Sequence, residues 1–191
     1  SDINTVSGDL FLEVSDGAEI EVGISHLADT YHLSNVNISH LNTINTTLGD
    51  LTSGNVWIDG VLETESDNID GILTLNATQD KKKIHVINND SVFDILTLNA
   101  DSGVILSRNL EADSGNLIIN ADTDGTSDGV DPTDDSITSG INLELKAGGT
   151  TGGLTLNAQS GLIDVDGSLL IEAANGVTIN QDIDILGTVD I

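Results

Sequence analysis

The chain has 191 residues, of which 32 are acidic and 5 are basic, so its formal net charge is −27. So few Lys and Arg residues exclude a nucleic-acid binder, which needs cations to neutralise phosphates, and the absence of Cys excludes disulfides and thiolate metal sites. No apolar run approaches the ~18 residues that span a bilayer, so we expect no membrane insertion. Hydrophobic residues make up 38% of the chain and aromatic residues 2%, which predicts a folded protein with an aliphatic core.

The N-terminal part, residues 1–51, alternates apolar and polar residues without a fixed repeat. Leu10, Leu12 and Val14 share one face of a predicted strand, because side chains alternate faces along a strand. Residues 23–50 are rich in Asn and β-branched residues, which disfavour a helix. We interpret them as irregular coils or as a contact region.

Histidines and asparagines give two weaker signals in the sequence. Three histidines have a spacing that matches no familiar zinc site, and exposed strand positions explain them equally well. These are His26, His32 and His40. Four N-x-S/T sequons occur, a number that this composition yields by chance, so glycosylation stays open. Their asparagines are Asn37, Asn45, Asn76 and Asn89.

From residue 52 onward a short phrase, L-x-[LI]-x-A, recurs along the chain. Its copies begin at Leu73, Leu96, Leu117, Leu143, Leu154 and Leu169. Apolar residues at alternate positions lie on one face of a strand, whereas a helix needs a different spacing. Gly beside Asp, Ser or Asn marks sharp corners between the strands. Short strands and a unit of roughly 20 residues predict a parallel β-helix, or β-solenoid, over residues 52–191, in one continuous domain with the N-terminal part.

An antiparallel β-sandwich is the alternative fold, but it gives no reason for one phrase to recur. In a β-helix, equivalent residues of successive coils lie about 4.8 Å apart, which favours stacked aliphatic side chains over rings. The outward Asn of the phrase should then form a ladder of amide hydrogen bonds. Its members are Asn76, Asn99, Asn120 and Asn157. A second outward row should hold Thr74, Thr97 and Thr155, with interruptions at Ile118 and Glu144.

Three of the five basic residues form the run Lys81, Lys82 and Lys83. One interpretation is a solvated turn. The other is a cationic patch that docks on the acidic flank of another copy of the chain and assists self-association.

The densest acidic stretch of the chain runs from Asp122 to Asp135 and is the candidate metal site. Its carboxylates are Asp122, Asp124, Asp128, Asp131, Asp134 and Asp135. Calcium takes about six to eight oxygen ligands, and alternate Asp residues with Gly turns allow a loop to wrap around it. The stretch lacks the terminal Glu of an EF-hand, since Thr occupies position 133. Because so many carboxylates repel one another without cations, we expect structural Ca²⁺ here, with a solvated acidic loop as the alternative.

Strand-like patterns lie near both ends of the chain, and neither end shows a cap that would protect the open edge of a β-helix. We expect both ends to be covered by another copy or by the rest of a longer chain. The candidate self-association residues are Leu10, Leu12, Val14, Ile183, Ile185, Val189 and Ile191, together with the lysine run.

The phrases LTLNA, GNLIINADTDG and GLIDVDGSLLIEA resemble the β-helical repeats of secreted bacterial exoproteins of the filamentous haemagglutinin type, over roughly residues 52–191. The resemblance implies a long rod, displayed at the cell surface or released from it, that serves adhesion or matrix building in a biofilm. The chain departs from that family in one respect: it lacks the Asn-Pro motifs of the secretion domain, and its only proline is Pro132. It is then a segment of a longer rod or a distinct filament protein.

Catalysis finds little support in the sequence. Arg108 stands alone, Lys146 should point outward from a strand, and there are few aromatic residues to stack on sugars. We therefore expect a non-enzymatic structural protein, a protomer or segment of an extracellular filament assembled end to end by β-strand pairing. The alternative is an adhesin stalk or binding module that recognises a surface or matrix glycan, or ice.

Overall fold

The computed structural model describes residues 3–5, 8–14, 17–24, 27–28, 30–129, 131 and 133–191. The described residues form short strands, and every pair of neighbouring strands is parallel. Each circuit of the chain adds one strand to each of three sheets, as in the run β11, β12, β13 (Leu96–Ala100, Val104–Leu106 and Leu110–Ala112). The prediction of a parallel β-helix is therefore confirmed, and the antiparallel sandwich is excluded.

Three sheets form the faces of the β-helix. The first, which we call the Thr/Asn face after its outward residues, contains β2 (Leu10–Leu12), β6 (Thr46–Leu48), β8 (Leu73–Ala77), β11, β14 (Leu117–Asn120), β17 (Leu154–Asn157) and β20 (Val177–Ile179). The eight-stranded face contains β4 (Tyr31–Ser34), β3 (Ile20–Gly23), β7 (Val56–Asp59), β9 (Ile84–Val86), β12, β15 (Ile137–Ser139), β18 (Ile163–Val165) and β21 (Ile183–Ile185). The five-stranded face contains β10 (Ser91–Phe93), β13, β16 (Leu143–Ala147), β19 (Leu169–Ala173) and β22 (Val189–Asp190).

The first circuits are less regular than the later ones. A short pair, β1 (Ile3–Asn4) and β5 (Leu41–Asn42), and two single-turn helices, α1 (Asn35–Ile38) and α2 (Glu63–Ser66), lie there. The sequence predicted neither helix; α1 begins at a capping box between Ser34 and Asn37. After β3 the chain folds back, so that β4 pairs with the outer edge of β3. The eight-stranded face therefore extends one strand further at this end than the Thr/Asn face does.

The boundary between residues 51 and 52 does not interrupt the sheets. β2 pairs with β6, and β6 pairs with β8, while β3 pairs with β7 on the next face. The part with the fixed phrase and the part without it thus share one set of sheets. Neither helix, nor any other helix in the described part of the chain, is long and apolar enough to cross a membrane.

Alternating burial along each strand builds the core. In β8 the inward Leu73, Leu75 and Ala77 are buried, and the outward Thr74 and Asn76 are half-buried. The same pattern recurs in β11 and β16. Aliphatic side chains thus stack on their equivalents from coil to coil through the interior, as the low aromatic content predicted.

The predicted asparagine ladder is present on the Thr/Asn face. Asn99 Nδ2 donates to Asn76 Oδ1 at 3.0 Å, and Asn120 Nδ2 donates to Asn99 Oδ1 at 2.8 Å. Asn157 continues the row in register with Asn120. The amide bonds link three successive coils along the outside of this face.

The six copies of the phrase do not share one face, and this corrects the predicted threonine row. The copies at Leu143 and Leu169 form β16 and β19 of the five-stranded face. Glu144 therefore lies beside Leu170, and the prediction that it interrupts the row was wrong. The phrase determines only which side chains point inward. Strands of both faces have this same inward aliphatic pattern, so the phrase does not specify the face. The row in fact contains Thr47, Thr74, Thr97, Ile118, Thr155 and Thr178, with Phe11 at its end.

A middle position and an end position of one inward row provide a test of the core. Leu98 and Ile179 both belong to the row that runs from β11 through β14 and β17 to β20, but Leu98 is 0% exposed and Ile179 is only partly buried. We expect Leu98→Ala to lower the free energy of unfolding by about 2–5 kcal/mol, because it leaves a cavity. Ile179→Ala should cost well under half as much in the monomer. Urea titrations of dilute protein measure both values, and equal losses would contradict an open terminal coil.

Candidate functional site

The acidic stretch forms a long loop at the corner between the Thr/Asn face and the eight-stranded face. In the preceding coil, residues 101–103 make this turn between β11 and β12; here residues 121–136 make it between β14 and β15. We call residues 122–136 the corner loop. Its extra length lets it cover the equivalent corners of the coils on either side.

Contacts on both sides hold the corner loop in place. Toward the earlier coils, Lys83 Nζ lies 2.9 Å from Asp134 Oδ1 and donates to Thr133 Oγ1 at 2.7 Å. Toward the later coil, the backbone N–H of Ser160 donates to Asp122 Oδ2 at 2.6 Å. The corner loop therefore connects coils that are far apart in sequence. These contacts serve to hold the coils and the loop together.

Close approach of the loop to the coil below depends on one glycine. Gly103 has a φ of +125°, and a Cβ at this position would lie 2.4 Å from the carbonyl oxygen of Thr133. Any other residue would both strain the backbone and push the corner loop outward.

Three carboxylates from three successive corners meet beneath the loop. Asp80, Asp101 and Asp128 each offer one oxygen, and these oxygens lie within 4.8 Å of one another. Ligand oxygens of one Ca²⁺ lie about 2.3–2.6 Å from the ion and hence within roughly 5 Å of each other. This cluster, which we call the Asp cluster, could hold a metal ion.

Burial and neighbouring carboxylates raise the pKa values of two carboxyls at the Asp cluster, which is expected where acidic groups lie together without a cation. Asp101 is 5% exposed, and its Oδ2 accepts a hydrogen bond from the backbone N–H of Lys81 at 2.8 Å. Burial, followed by the nearby Asp128 and Asp124 carboxylates, raises the pKa of Asp101 to about 7. Burial also raises the pKa of Asp135, which is 2% exposed.

Two buried carboxylate oxygens, one in the Asp cluster and one next to it, are unsatisfied among the described residues. Asp135 Oδ2 accepts from the backbone N–H of Asp128 at 3.0 Å. Asp135 Oδ1 and Asp128 Oδ2 are buried, and among the described residues neither has a hydrogen-bond partner. A buried acceptor without a partner carries a desolvation penalty of about 1–3 kcal/mol or more. A bound cation would remove that penalty.

The structure divides the six predicted ligands into two groups. Asp128 belongs to the Asp cluster, and Asp135 contacts it. Asp124 and Asp131 instead accept hydrogen bonds from Thr126 and Thr133 in their own turns, which lowers the pKa of both carboxyls. Asp122 and Asp134, described above, bind the neighbouring coils. The oxygens of these four carboxylates thus form hydrogen bonds and an ion pair that hold the loop in shape.

Sequence reasoning missed Asp80 and Asp101 because both lie outside the dense acidic stretch. The sequence did show an Asp directly after the phrase at Ala100 and at Ala121, but the second of these, Asp122, contacts the later coil, and Asp128 meets Asp101 instead. Equivalent corners stack in a β-helix, so acids at matching corner positions of successive coils converge in space. For Asp80 the shift of three residues from Ala77 hid that signal.

The two ends of the β-helix are the second candidate site. At the end formed by β20, β21 and β22, which we call the upper end, Ile183 is 39% exposed and Val189 is 44% exposed. Their partners one coil earlier, Ile163 and Leu169, are each 1% exposed. Ile191 is 70% exposed, whereas Ile185 is half-buried. The upper end thus presents inward-facing apolar side chains.

The opposite, lower end includes β2 and β4. Leu10 and Leu12 are half-buried and Val14 is buried, while Tyr31 of β4 is 41% exposed. Of the lysine run, Lys83 already pairs with Asp134 inside the chain, and Lys81 is exposed. Lys81 and Lys82 remain candidates for contacts with another copy.

The weaker sequence signals have mixed outcomes. His32 and His40 line one cavity at the lower end, where His32 Nε2 lies 2.9 Å from the carbonyl oxygen of Gly23; His26 lies outside the described residues. The amide nitrogens of three sequon asparagines donate hydrogen bonds within the fold, which a glycan would displace. These are Asn45, Asn76 and Asn89.

No protein-family model, curated protein or solved structure matches the chain. The resemblance to repeats of the filamentous haemagglutinin type therefore stays a prediction from the sequence. The functional argument depends on the residues that the fold brings together.

Replacement of Asp101 tests the electrostatics of the Asp cluster. A carboxyl whose pKa is raised in the fold stabilises it at low pH, and this stabilisation is lost as the pH rises from about 4 to about 7. In metal-free protein, we expect the unfolding free energy of Asp101→Asn to fall less over this range than that of the unmodified chain. Urea titrations in chelator at several pH values measure both slopes.

Other groups with shifted pKa values are present in both proteins, among them Asp135 and Asp164, whose pKa values burial raises. Burial raises the pKa of Asp94 to about 6, which acts in the same direction as Asp101. Burial lowers the pKa of His85 to about 4, which acts in the opposite direction. Because all of these groups are retained, the difference between the two slopes reports Asp101, and parallel slopes would contradict the assignment.

Proposed function

We propose that the chain is a non-enzymatic structural protein, and that its copies assemble end to end into an extracellular filament by β-strand pairing. The observation that carries the proposal is the match between the open edges of the eight-stranded face, β21 at the upper end and β4 at the lower end. Both the main-chain groups and the side chains of these two strands support pairing.

Only alternate residues along β21 form main-chain hydrogen bonds with β18. Ile163 N–H donates to the carbonyl of Asp182 at 3.0 Å, and Leu186 N–H donates to the carbonyl of Val165 at 3.2 Å. In a parallel ladder, alternate residues of a strand bond to opposite neighbours. The N–H and C=O groups of Ile183 and Ile185 therefore point to the open edge, where a further strand can pair with them.

β4 offers the complementary set of groups. Tyr31 N–H donates to the carbonyl of Glu19 at 2.9 Å, so the inward residues of β4 bond to β3. The main-chain groups of the outward His32 then point to the open edge. Inside the β-helix, inward residues of one strand bond to outward residues of the next, as Leu154 does with Gly176. β21 below β4 of another copy would repeat that arrangement.

Side chains at the two edges support the same register. The apolar inward row of β21 would be covered by Tyr31 and Leu33, which removes exposed apolar surface from water. His32 would lie above Asp184, which in turn lies beside Asp164. A third acid at this position would extend a row of like charges, whereas His32 ends it.

A contact between two different ends of the molecule is heterologous, and such contacts produce open filaments unless the rotation closes a ring. The eight strands of the β-helix face that joins the copies correspond to a rise of roughly 38 Å per copy at the strand spacing of about 4.8 Å. This is shorter than a rod of nine coils, which the repeat length alone would have given.

We further propose that Ca²⁺ occupies the Asp cluster. The support is the convergence of three carboxylates and the unsatisfied buried oxygens of Asp128 and Asp135. Extracellular calcium modules have dissociation constants of about 10⁻⁴–10⁻³ M, which suits a site with a few carboxylates. A bound ion would fix the corner loop on the coils below it and offset part of the net charge.

Assembly is tested by a proline in the upper edge. Ile185→Pro removes an N–H that faces the open edge, and it leaves the bonds between β18 and β21 intact, so the monomer should fold. The missing hydrogen bond is worth about 1–3 kcal/mol, so the critical concentration for filaments should rise by a factor of about 5 to 150. Electron microscopy and sedimentation with calcium measure this change.

Ile185→Ala is the matched control, because it shortens the side chain and keeps the N–H. Its critical concentration should lie between those of the unmodified chain and the proline variant. If the unmodified chain stays monomeric at high concentration with calcium, the filament proposal fails.

Calcium binding is tested separately from assembly in the Ile185→Pro background. Ca²⁺ at about 100 times its dissociation constant should stabilise the fold by about 2.7 kcal/mol, measured as a rise in melting temperature. Asp128→Asn should abolish this rise and leave the metal-free melting temperature unchanged or higher, because it relieves repulsion. Asp184→Asn, an equal change of charge outside the Asp cluster, should keep the response to calcium. An equal response in both variants would refute the site.

A further inference from the structure

The Thr/Asn face differs from the other two faces in its charge. None of the residues in its seven strands is charged, although the chain carries a net charge of −27. The outward positions of the eight-stranded face include Asp164 and Asp184. Those of the five-stranded face include Glu111, Glu144 and Glu172, with only Lys146 to offset them, 2.7 Å from Glu111.

The outward side chains of the Thr/Asn face are regular as well as neutral. One row contains five threonines and Ile118, and the parallel row contains the asparagine ladder. The threonines from Thr47 to Thr155 are half-buried by their neighbours and present methyl and hydroxyl groups. β-Branched side chains have few rotamers, and the ladder holds its amides by hydrogen bonds, so little side-chain entropy remains to be lost on contact.

We infer that the Thr/Asn face is the surface through which two filaments of this chain pack side by side, face to face. Charge decides which faces can meet. Two copies that approach through either of the other faces bring carboxylates together, Asp164 and Asp184 on the eight-stranded face and Glu111, Glu144 and Glu172 on the five-stranded face, and this repulsion persists over about a Debye length of 8–10 Å in physiological salt. Two Thr/Asn faces can pack at the usual sheet spacing of about 10 Å with no charged strand residue between them, and their rows can interdigitate.

The area of the face explains why this contact needs the filament. Seven strands of three to five residues cover roughly 430 Å² at the usual strand dimensions, whereas a stable complex buries about 800 Å² on each partner. Single copies should therefore stay unpaired. Along a filament each added copy adds its area to the same contact, so long filaments should pair strongly. The inference thus rests on the proposed filament and extends it to a bundle.

The test places a charge on the Thr/Asn face and compares it with the same charge elsewhere in the same coil. Thr97→Glu lies in β11 on the Thr/Asn face, and Ile105→Glu lies in β12 on the outward side of the eight-stranded face. Both positions are half-buried, and both variants change the net charge equally. Electron microscopy of filaments with calcium gives filament width and the fraction that is paired.

We expect the unmodified chain and Ile105→Glu to form paired filaments. Thr97→Glu should form filaments of similar length that stay single, at half the width. If Thr97→Glu filaments still pair, or if unmodified filaments are all single, this inference is overturned while the filament proposal stands. If no filaments form, both fail. If unmodified filaments are single and bind ice or a crystalline polysaccharide in a manner that Thr97→Glu abolishes, the face recognises that surface and the inference is also overturned.

Discussion

Successive coils of this protein lie one strand spacing apart, about 4.8 Å, so each side chain has its equivalent from the next coil as its nearest neighbour. Three properties of the structure depend on this constraint. Inward positions accept stacked Leu, Ile, Val and Ala, which accounts for a core nearly free of rings. Outward amides align well enough to bond one another, as Asn76, Asn99 and Asn120 do. Outward charges, when they recur, lie close to charges of the same sign.

Because like charges that recur lie close together, it matters where on this chain the acidic residues recur. Acids that recur at the corners converge in the Asp cluster, where burial leaves two carboxylate oxygens unsatisfied. On the outward faces, acids recur on two sheets and are absent from the strands of the third. A net charge of −27 therefore does not make the whole surface repulsive. The carboxylates that could hold a cation converge at one set of corners, and the strands of the Thr/Asn face carry no charged residue.

Much of the fold follows from the sequence because alternation and a recurring phrase are local signals. They predicted the parallel β-helix, the aliphatic interior and the asparagine ladder. They could not predict which face each copy occupies, since the phrase records only which side chains point inward; hence the misplacement of Glu144. They also could not show that Asp80 and Asp101 join Asp128, because corners that differ in length come together only once the register of the coils is known. The four-residue helices α1 and α2 are too short for any periodic signal.

The fold-back of β4 beneath β3 makes the lower end uneven. The eight-stranded face extends one level below β2, the first strand of the Thr/Asn face, whereas at the upper end β20 and β21 finish in the same circuit. Two copies joined through β21 and β4 would therefore leave a slot one strand high between β20 and β2. The main-chain groups on both sides of that slot are those of a parallel sheet with one strand removed. In the proposed filament, each junction would thus interrupt the Thr/Asn face by the height of one strand, at a fixed interval along the rod.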